Sequence, residues 1–149
     1  MIEILIILIG LIFGSFANVC IHRLPLDLDI VKARSHCPKC KKKIIWYDNI
    51  PLLSSLILSF KCRTCKKKIS KQYFIVELLT GLTFIFFYKT LGLSFDFVLI
   101  FIIFLLLLII FFIDLKHYII PDSLNFSLIL ICFIKNFTTQ DLLKFSYNI

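Results

Sequence analysis

Long apolar runs, each able to cross a lipid bilayer or nearly so, constrain this chain more than any other feature. A membrane-spanning helix needs about 20 predominantly apolar residues. The hydrophobic fraction is 60%, against roughly 45–50% in soluble domains, and a bilayer is the solvent that accommodates the excess. The sequence therefore predicts an all-α integral membrane protein with about four transmembrane helices, over residues 4–21, 73–88, 97–113 and 119–134.

Two apolar runs are weaker candidates for spanning helices. Pro121, Asp122 and Asn125 fall in the first turns of the fourth segment, so this segment is expected either to span the membrane or to re-enter it. The run at 50–60 is about half the length of a span. We expect it to pack inside the loop domain or against the membrane surface.

Positive charge is concentrated between the first two apolar segments. Residues 22–72 contain 13 of the 17 Lys and Arg residues, and such loops stay on the cytoplasmic side of a membrane. We predict helix 1 within 1–21, a cytoplasmic loop over 22–72, helices 2–4 within 73–134 and a short external tail over 135–149. Basic loops also bind nucleic acids, but the flanking apolar segments favour a lipid bilayer as the partner. We expect no nucleic-acid partner.

Four cysteines in this loop have the spacing of a metal site. Cys37 and Cys40 form one CxxC pair, Cys62 and Cys65 form a second, and 21 residues separate the pairs. Two such pairs place four thiolates on one tetrahedral Zn²⁺, and cytoplasmic thiols stay reduced. Because three lysines follow each pair, we predict two similar knuckles that share one structural zinc ion. The alternative is a redox-active dithiol.

Two carboxylates, Glu77 and Asp114, lie inside or at the end of apolar segments. An acid within a membrane costs several kcal/mol and is a functional candidate for that reason. The plainer interpretation is a charge that marks a helix boundary. The first segment also carries a stripe of small and polar residues that favours close helix packing: Gly10, Gly14, Ser15 and Asn18.

The order of these features along the chain resembles the N-terminal half of the bacterial type IV prepilin peptidases. The matching motifs are GSFANV at 14–19, RLP at 23–25, the two CxxC pairs around YDNIPLLS at 47–54, VELLT at 76–80, ID at 113–114 and IPD at 120–122. The resemblance runs from the N-terminus to about residue 130. The ordered series is specific, whereas any one motif alone is not.

This resemblance implies a multi-pass aspartic endopeptidase of the bacterial inner membrane. Such enzymes cut the basic leader from prepilins and pseudopilins at the cytoplasmic membrane face. Many members then methylate the new N-terminal amine with S-adenosylmethionine. By the same matching, Asp114 is the first catalytic aspartate, and the topology predicted above places it at the cytoplasmic side.

One element of the resemblance is absent from these 149 residues. Aspartic proteolysis uses two carboxylates that share a proton, and the family's second aspartate lies in a GxGD motif. Glycine occurs only at positions 10, 14, 81 and 92, and none begins this motif. Asp122 could replace it only if Pro121 bends the chain, because eight helical residues rise about 12 Å. We therefore expect no prepilin cleavage by this chain alone.

Three hypotheses follow from this pattern. The chain is an incomplete or split prepilin peptidase, with a second chain supplying the missing half. Alternatively, it is a non-catalytic, zinc-stapled membrane scaffold or partner in pilus or type II secretion assembly. The third is a methyltransferase built on the loop, which the absence of a glycine-rich cofactor loop disfavours.

Overall fold

The computed structural model describes residues 2–30, 36–37 and 39–147, and these residues form an all-helical protein without a β-strand. Two 3₁₀ turns, Leu24–Leu26 and Trp46–Asn49, lie in the basic loop. Residues 31–35 and 38 of the predicted loop, and 148–149 of the predicted tail, lie outside the described residues. The α-helices are α1 (Ile2–Arg23), α2 (Leu53–Ile57), α3 (Gln72–Leu91), α4 (Phe95–His117) and α5 (Asp122–Tyr147).

Three of the described helices are long and apolar enough to cross a membrane. The candidate spans are Ile2–Leu26, Gln72–Leu91 and Phe95–His117, with mean hydropathies of 2.6, 1.6 and 3.4. The predicted all-α membrane fold, with a cysteine cluster between the first two candidate spans (helices α1 and α3), is confirmed. Each helix extends a few residues beyond its predicted apolar run, and local hydrogen bonds fix some of these ends. At the start of α4, for example, the Ser94 side chain accepts a hydrogen bond from the N–H of Phe97 (3.1 Å).

The fourth predicted segment lies within α5, which begins later and ends later than residues 119–134. Tyr118 adopts a left-handed conformation (φ 55°) that ends α4. Pro121 then precedes the first turn of α5, a position in which its missing N–H costs nothing. Its carbonyl accepts hydrogen bonds from Leu124 (3.1 Å) and Asn125 (3.3 Å). The helix continues through most of the residues assigned to the tail, and its crossing of the membrane remains a prediction.

Residues Met1–Phe86 form one compact unit in which α1 packs closely against α3. A Cβ atom on Gly10 would lie 2.6 Å from the Cβ of Phe84, and one on Gly14 would lie 2.0 Å from the Thr80 hydroxyl oxygen. Only glycine permits this approach, as in other membrane helix pairs. The close packing predicted from the stripe of small residues is confirmed.

Residues Phe87–Ile149 form a second compact unit. Within it, α4 packs against α5, and the Lys135 ammonium donates a hydrogen bond to the Asp96 carboxylate. Exposed side chains on these helices are mainly apolar, including Leu107 and Phe111. Such surfaces are the ones expected to face lipid, because lipid does not penalise apolar exposure.

Candidate functional site

Each CxxC pair lies in a turn with the same backbone geometry. In the first turn, the N–H of Cys37 donates to the carbonyl of Lys42 (2.9 Å), and the N–H of Lys41 donates to the carbonyl of Cys37 (2.8 Å). The equivalent bonds, 25 positions later along the chain, measure 2.9 and 3.0 Å. The two similar knuckles expected from the sequence are therefore present, as knuckle 1 (residues 36–43) and knuckle 2 (residues 61–68).

The two knuckles also close in the same way. Each contains one isolated antiparallel bridge and one lysine in the left-handed region: His36–Lys43 and Lys41 (φ 57°) in knuckle 1, and Lys61–Lys68 and Lys66 (φ 55°) in knuckle 2. A left-handed residue reverses the chain directly after the second cysteine of each pair.

The four cysteine sulfur atoms converge into one cluster. The Sγ atoms of Cys37, Cys40, Cys62 and Cys65 all lie within 4.8 Å of one another, and all four thiols are free. The Cys37 and Cys65 sulfurs are 3.9 Å apart, far longer than a disulfide bond of about 2.05 Å. A tetrahedral Zn²⁺ with Zn–S bonds of about 2.3 Å requires sulfurs about 3.8 Å apart. The cluster therefore fits a four-coordinate metal ion.

Backbone N–H groups prepare knuckle 2 to bind a cation. The N–H groups of Cys65 and Thr64 hydrogen-bond to the Cys62 sulfur and lower its pKa to about 6. The pKa of Cys65 is raised to about 11, because burial and competition with the neighbouring thiols outweigh the N–H of Lys67. The lowered pKa favours the thiolate form of Cys62, which is the form that binds a metal ion.

An ion pair holds the segment Tyr47–Asn49 against knuckle 2. The Arg63 guanidinium donates to both carboxylate oxygens of Asp48, at 2.8 Å from Nε and 2.6 Å from its terminal nitrogen. The same guanidinium lies over the Tyr47 ring, 5.4 Å from its centroid. The hydrogen bonds from Arg63 hold the pKa of Asp48 below its usual value. This bidentate pair was not predicted from the sequence, since it joins residues 15 positions apart.

Glu77 connects the loop to the membrane helices. Its side chain is only 7% exposed, and its carboxylate accepts a hydrogen bond from the backbone N–H of Leu52 (2.9 Å). The Ser15 side chain, on α1, hydrogen-bonds to the same carboxylate. Leu52 has a positive φ of 59°, which is strained for a large side chain. Glu77 is therefore a buried acceptor that fixes the loop on α1 and α3.

Two further polar groups organise the junction between loop and helices. The Asn18 amide donates to the carbonyl of Tyr73 (3.0 Å), which joins α1 to the start of α3. The buried Arg23 guanidinium donates to the carbonyls of Asp29 and Ile30, at 3.0 Å each. Arg23 thereby folds the first part of the loop back onto the end of α1. Its place in the RLP motif was the only sequence signal for this role.

Asp114 lies in the last turn of α4, within the second unit. Its backbone carbonyl accepts the N–H of Tyr118 (2.9 Å), and its side chain is exposed. Among the described residues, no hydrogen bond or ion pair engages its carboxylate. A turn at 118–121 separates Asp114 from Asp122, so one continuous helix does not hold both acids.

Comparison with known proteins identifies the family. Residues 8–91 match the model of the bacterial peptidase A24 N-terminal domain. The match includes most of α1, the cysteine loop and all of α3. The chain belongs to this family. The relationship to the prepilin peptidases inferred from the order of the motifs is thereby confirmed.

Curated relatives of the chain carry corresponding names. The prepilin leader peptidase/N-methyltransferase of Myxococcus xanthus is 46% identical over 117 residues, which cover 78% of this chain and 35% of that protein. The protein of the same name from Vibrio cholerae is 44% identical over 142 residues, which cover 88% of this chain and 55% of that protein. The chain thus spans between about a third and somewhat over half of these relatives. No solved structure matches it.

Proposed function

We propose that this chain forms the N-terminal half of a prepilin leader peptidase, in which Asp114 is one of the two carboxylates that cleave the leader. Membership of the A24 family is the observation that carries the proposal. The exposed Asp114 at the end of an apolar helix is consistent with it, because a protease acting at a membrane face needs its acid at a helix end. The names of the relatives indicate the substrate class, which is prepilins.

Cleavage would require Asp114 to work with a second carboxylate. One acid of such a pair takes a proton from the attacking water, while its protonated partner polarises the scissile carbonyl. Repulsion between two close carboxylates keeps one of them protonated. By resemblance to the family, the partner is expected from a GxGD segment, which these 149 residues do not contain.

The proposed topology places the loop and Asp114 on the cytoplasmic side of the bacterial inner membrane. Lysine-rich knuckles between two spans support this orientation. The ion pair of Asp96 with Lys135 supports a return of α5 across the membrane, since it brings the start of α4 and the middle of α5 to the same level. Prepilins carry their basic leader on the cytoplasmic side, where this orientation would present Asp114.

The cysteine cluster is proposed to hold a structural Zn²⁺. Cys37, Cys40, Cys62 and Cys65 would fill all four coordination positions, so the ion would join the two knuckles and supply no catalytic water. S-adenosylmethionine is supported only through the relatives' name, prepilin leader peptidase/N-methyltransferase. No glycine lies between residues 15 and 80, so the loop offers no glycine-rich turn to approach that cofactor. We assign no methyl-transfer step to this chain.

The decisive test is cleavage of a prepilin in reconstituted membranes. This chain would be assayed alone and together with the C-terminal half of the Vibrio cholerae relative. We expect cleavage only from the combination, and loss of at least about 100-fold of it in Asp114→Asn, as for removal of a catalytic acid or base. Asp96→Asn, which removes a carboxylate from the opposite end of α4, is the matched control and should retain activity.

Three outcomes would change this assignment. Turnover by the chain alone would show that a carboxylate within it completes the pair, and equal activity of Asp114→Asn would remove Asp114 from the reaction. Absence of cleavage in every combination, with the cysteine cluster loaded with metal, would favour the non-catalytic scaffold. That second candidate is favoured by the four-cysteine site, which would hold its ion without an open coordination position.

A further inference from the structure

The short helix α2 exposes an apolar surface in the middle of a basic loop. Its five residues include no buried side chain. Leu53, Leu56 and Ile57 are 55%, 56% and 73% exposed. In water this exposure is unfavourable by about 25 cal/mol per Å² of apolar surface. An apolar surface of this kind usually marks a contact with another molecule or with a membrane.

The attachment of α2 to α3 sets its position near the membrane boundary. Leu52, directly before α2, donates its N–H to Glu77 at 2.9 Å. Glu77 lies five residues into the candidate span Gln72–Leu91, which corresponds to a rise of about 7.5 Å along the helix. Helix α2 therefore begins beside the first two turns of this candidate span, where the lipid headgroups would lie.

A basic cleft lies at the end of the same helix. The cleft has a volume of about 290 Å³, and its lining combines apolar Ile57 and Leu58 with basic Lys61, Arg63 and Lys66, together with Ser59 and Cys62. Arg63 is engaged by Asp48. The ammonium groups of Lys61 and Lys66 make no ion pair with any described residue and are exposed. They offer two positive charges next to an apolar edge.

We propose that α2 and this cleft form a binding site for an anionic phospholipid at the membrane interface. Leu53, Leu56 and Ile57 would contact the upper acyl chains, and the lipid phosphate would lie between Lys61 and Lys66. Opposite charge identifies the occupant, because lysines at a membrane surface attract anionic lipids and not neutral ones. The proposal does not depend on peptidase activity. It makes the loop a surface-bound element instead of a domain free in solution.

The depth of α2 is tested by fluorescence quenching of the full chain in bilayers that contain brominated phospholipids. In a Trp46→Phe background, a tryptophan would be introduced by Ile57→Trp. Leu82→Trp, on the exposed face of α3, is the deep reference, and Lys42→Trp, in knuckle 1, is the aqueous reference. We expect Ile57→Trp to be quenched to an intermediate degree, and more strongly by shallow than by deep bromines. Quenching as weak as that of Lys42→Trp would overturn the proposal.

The lipid headgroup is tested by titrating fluorescent phosphatidylglycerol or phosphatidylcholine into the detergent-solubilised chain. We expect Lys61→Gln/Lys66→Gln to weaken phosphatidylglycerol binding about fivefold per lysine. Lys41→Gln/Lys42→Gln removes the same charge from knuckle 1, where Lys41 has the same backbone conformation as Lys66, and should change binding less than twofold.

Three results of this titration would overturn the proposal. Equal loss in both double variants would show a delocalised charge effect without a site. Equal affinity for the two lipids would exclude recognition of the anion. Displacement of phosphatidylglycerol by inorganic phosphate alone, with no tryptophan quenching at position 57, would identify a soluble anion as the occupant.

Discussion

Gly14→Ala should destabilise the contact between α1 and α3, because the added methyl group meets backbone as well as side chain. Its carbon would lie 2.0 Å from the hydroxyl oxygen of Thr80 and 2.7 Å from the Cα of Glu77, against at least 3.4 Å for an ordinary contact. The threonine hydroxyl donates to helix carbonyls at 2.9 Å, so it loses hydrogen bonds if it rotates away. The helices must separate by about 0.7 Å to relieve the Cα clash. Overpacking of this kind costs about 1–3 kcal/mol.

Gly81→Ala provides a matched comparison at the same interface. There the added methyl group would lie 2.6 Å from the Cδ2 of Leu11, while the nearest backbone atom, the carbonyl oxygen of Ile7, is 3.8 Å away. A leucine side chain can change rotamer at a cost of about 0.5–1.5 kcal/mol. Alanine regains about 0.5–1 kcal/mol relative to glycine within a helix. We therefore expect Gly81→Ala to be nearly neutral.

The free energy of unfolding of the two variants would be compared by SDS titration of the detergent-solubilised chain, with helix content followed by circular dichroism. Gly14→Ala/Thr80→Ala should recover part of the stability lost in Gly14→Ala, because it removes the hydroxyl clash and leaves the backbone clash. The reasoning fails if Gly14→Ala is as stable as Gly81→Ala. It also fails if Thr80→Ala restores full stability, since the backbone contact would then carry no cost.

Three other predictions concern the loop. Cys62→Ser should abolish tight binding of one zinc equivalent in a competition titration with a chromophoric chelator, whereas Cys132→Ser, in α5, should bind as the original chain does. Lys66→Gly should leave zinc affinity unchanged or raise it up to about fivefold, because glycine removes a left-handed strain of about 1 kcal/mol. Lys67→Gly loses the same charge without relieving this strain, so its zinc affinity should not rise. The ion pair of Asp48 should stabilise the loop above the ordinary carboxyl pKa and lose this effect as the pH falls through its lowered pKa. Asp48→Asn should remove that dependence in an NMR titration of the loop, and an unchanged profile would exclude the pair as its source.

Much of the fold is predictable from the sequence because a chain in lipid must satisfy its backbone hydrogen bonds within its own helices. Apolar runs of sufficient length form helices in a bilayer, and α1, α3 and α4 occur where such runs predict them. Helix ends follow local chemistry instead, as the Ser94 cap and the left-handed Tyr118 show. The start of α5 after Pro121 illustrates the same limit, since the apolar pattern alone placed this helix three residues too early.

The candidate site was predictable where its geometry is local. Each knuckle is made by backbone bonds within a few residues of a CxxC pair, so spacing and repetition were sufficient to anticipate two similar turns. The contacts of Asp48 with Arg63, and of Glu77 with Leu52, join residues 15 and 25 positions apart. No local pattern encodes such pairs. The sequence alone therefore favours a boundary charge at Glu77, whereas in the structure this residue is a buried acceptor.

The hydrogen bond from Leu52 to Glu77 determines how the loop would behave as an isolated fragment. A soluble fragment of residues 24–71 would contain both knuckles but would lack the carboxylate that accepts the N–H of Leu52 and holds this residue at its positive φ of 59°. In such a fragment the segment around Leu52 should relax to ordinary backbone angles, and the knuckles would lose their fixed relation to Pro51 and to α2. The smallest autonomous folding unit of this loop therefore extends into α1 and α3, and its true boundaries lie inside the membrane.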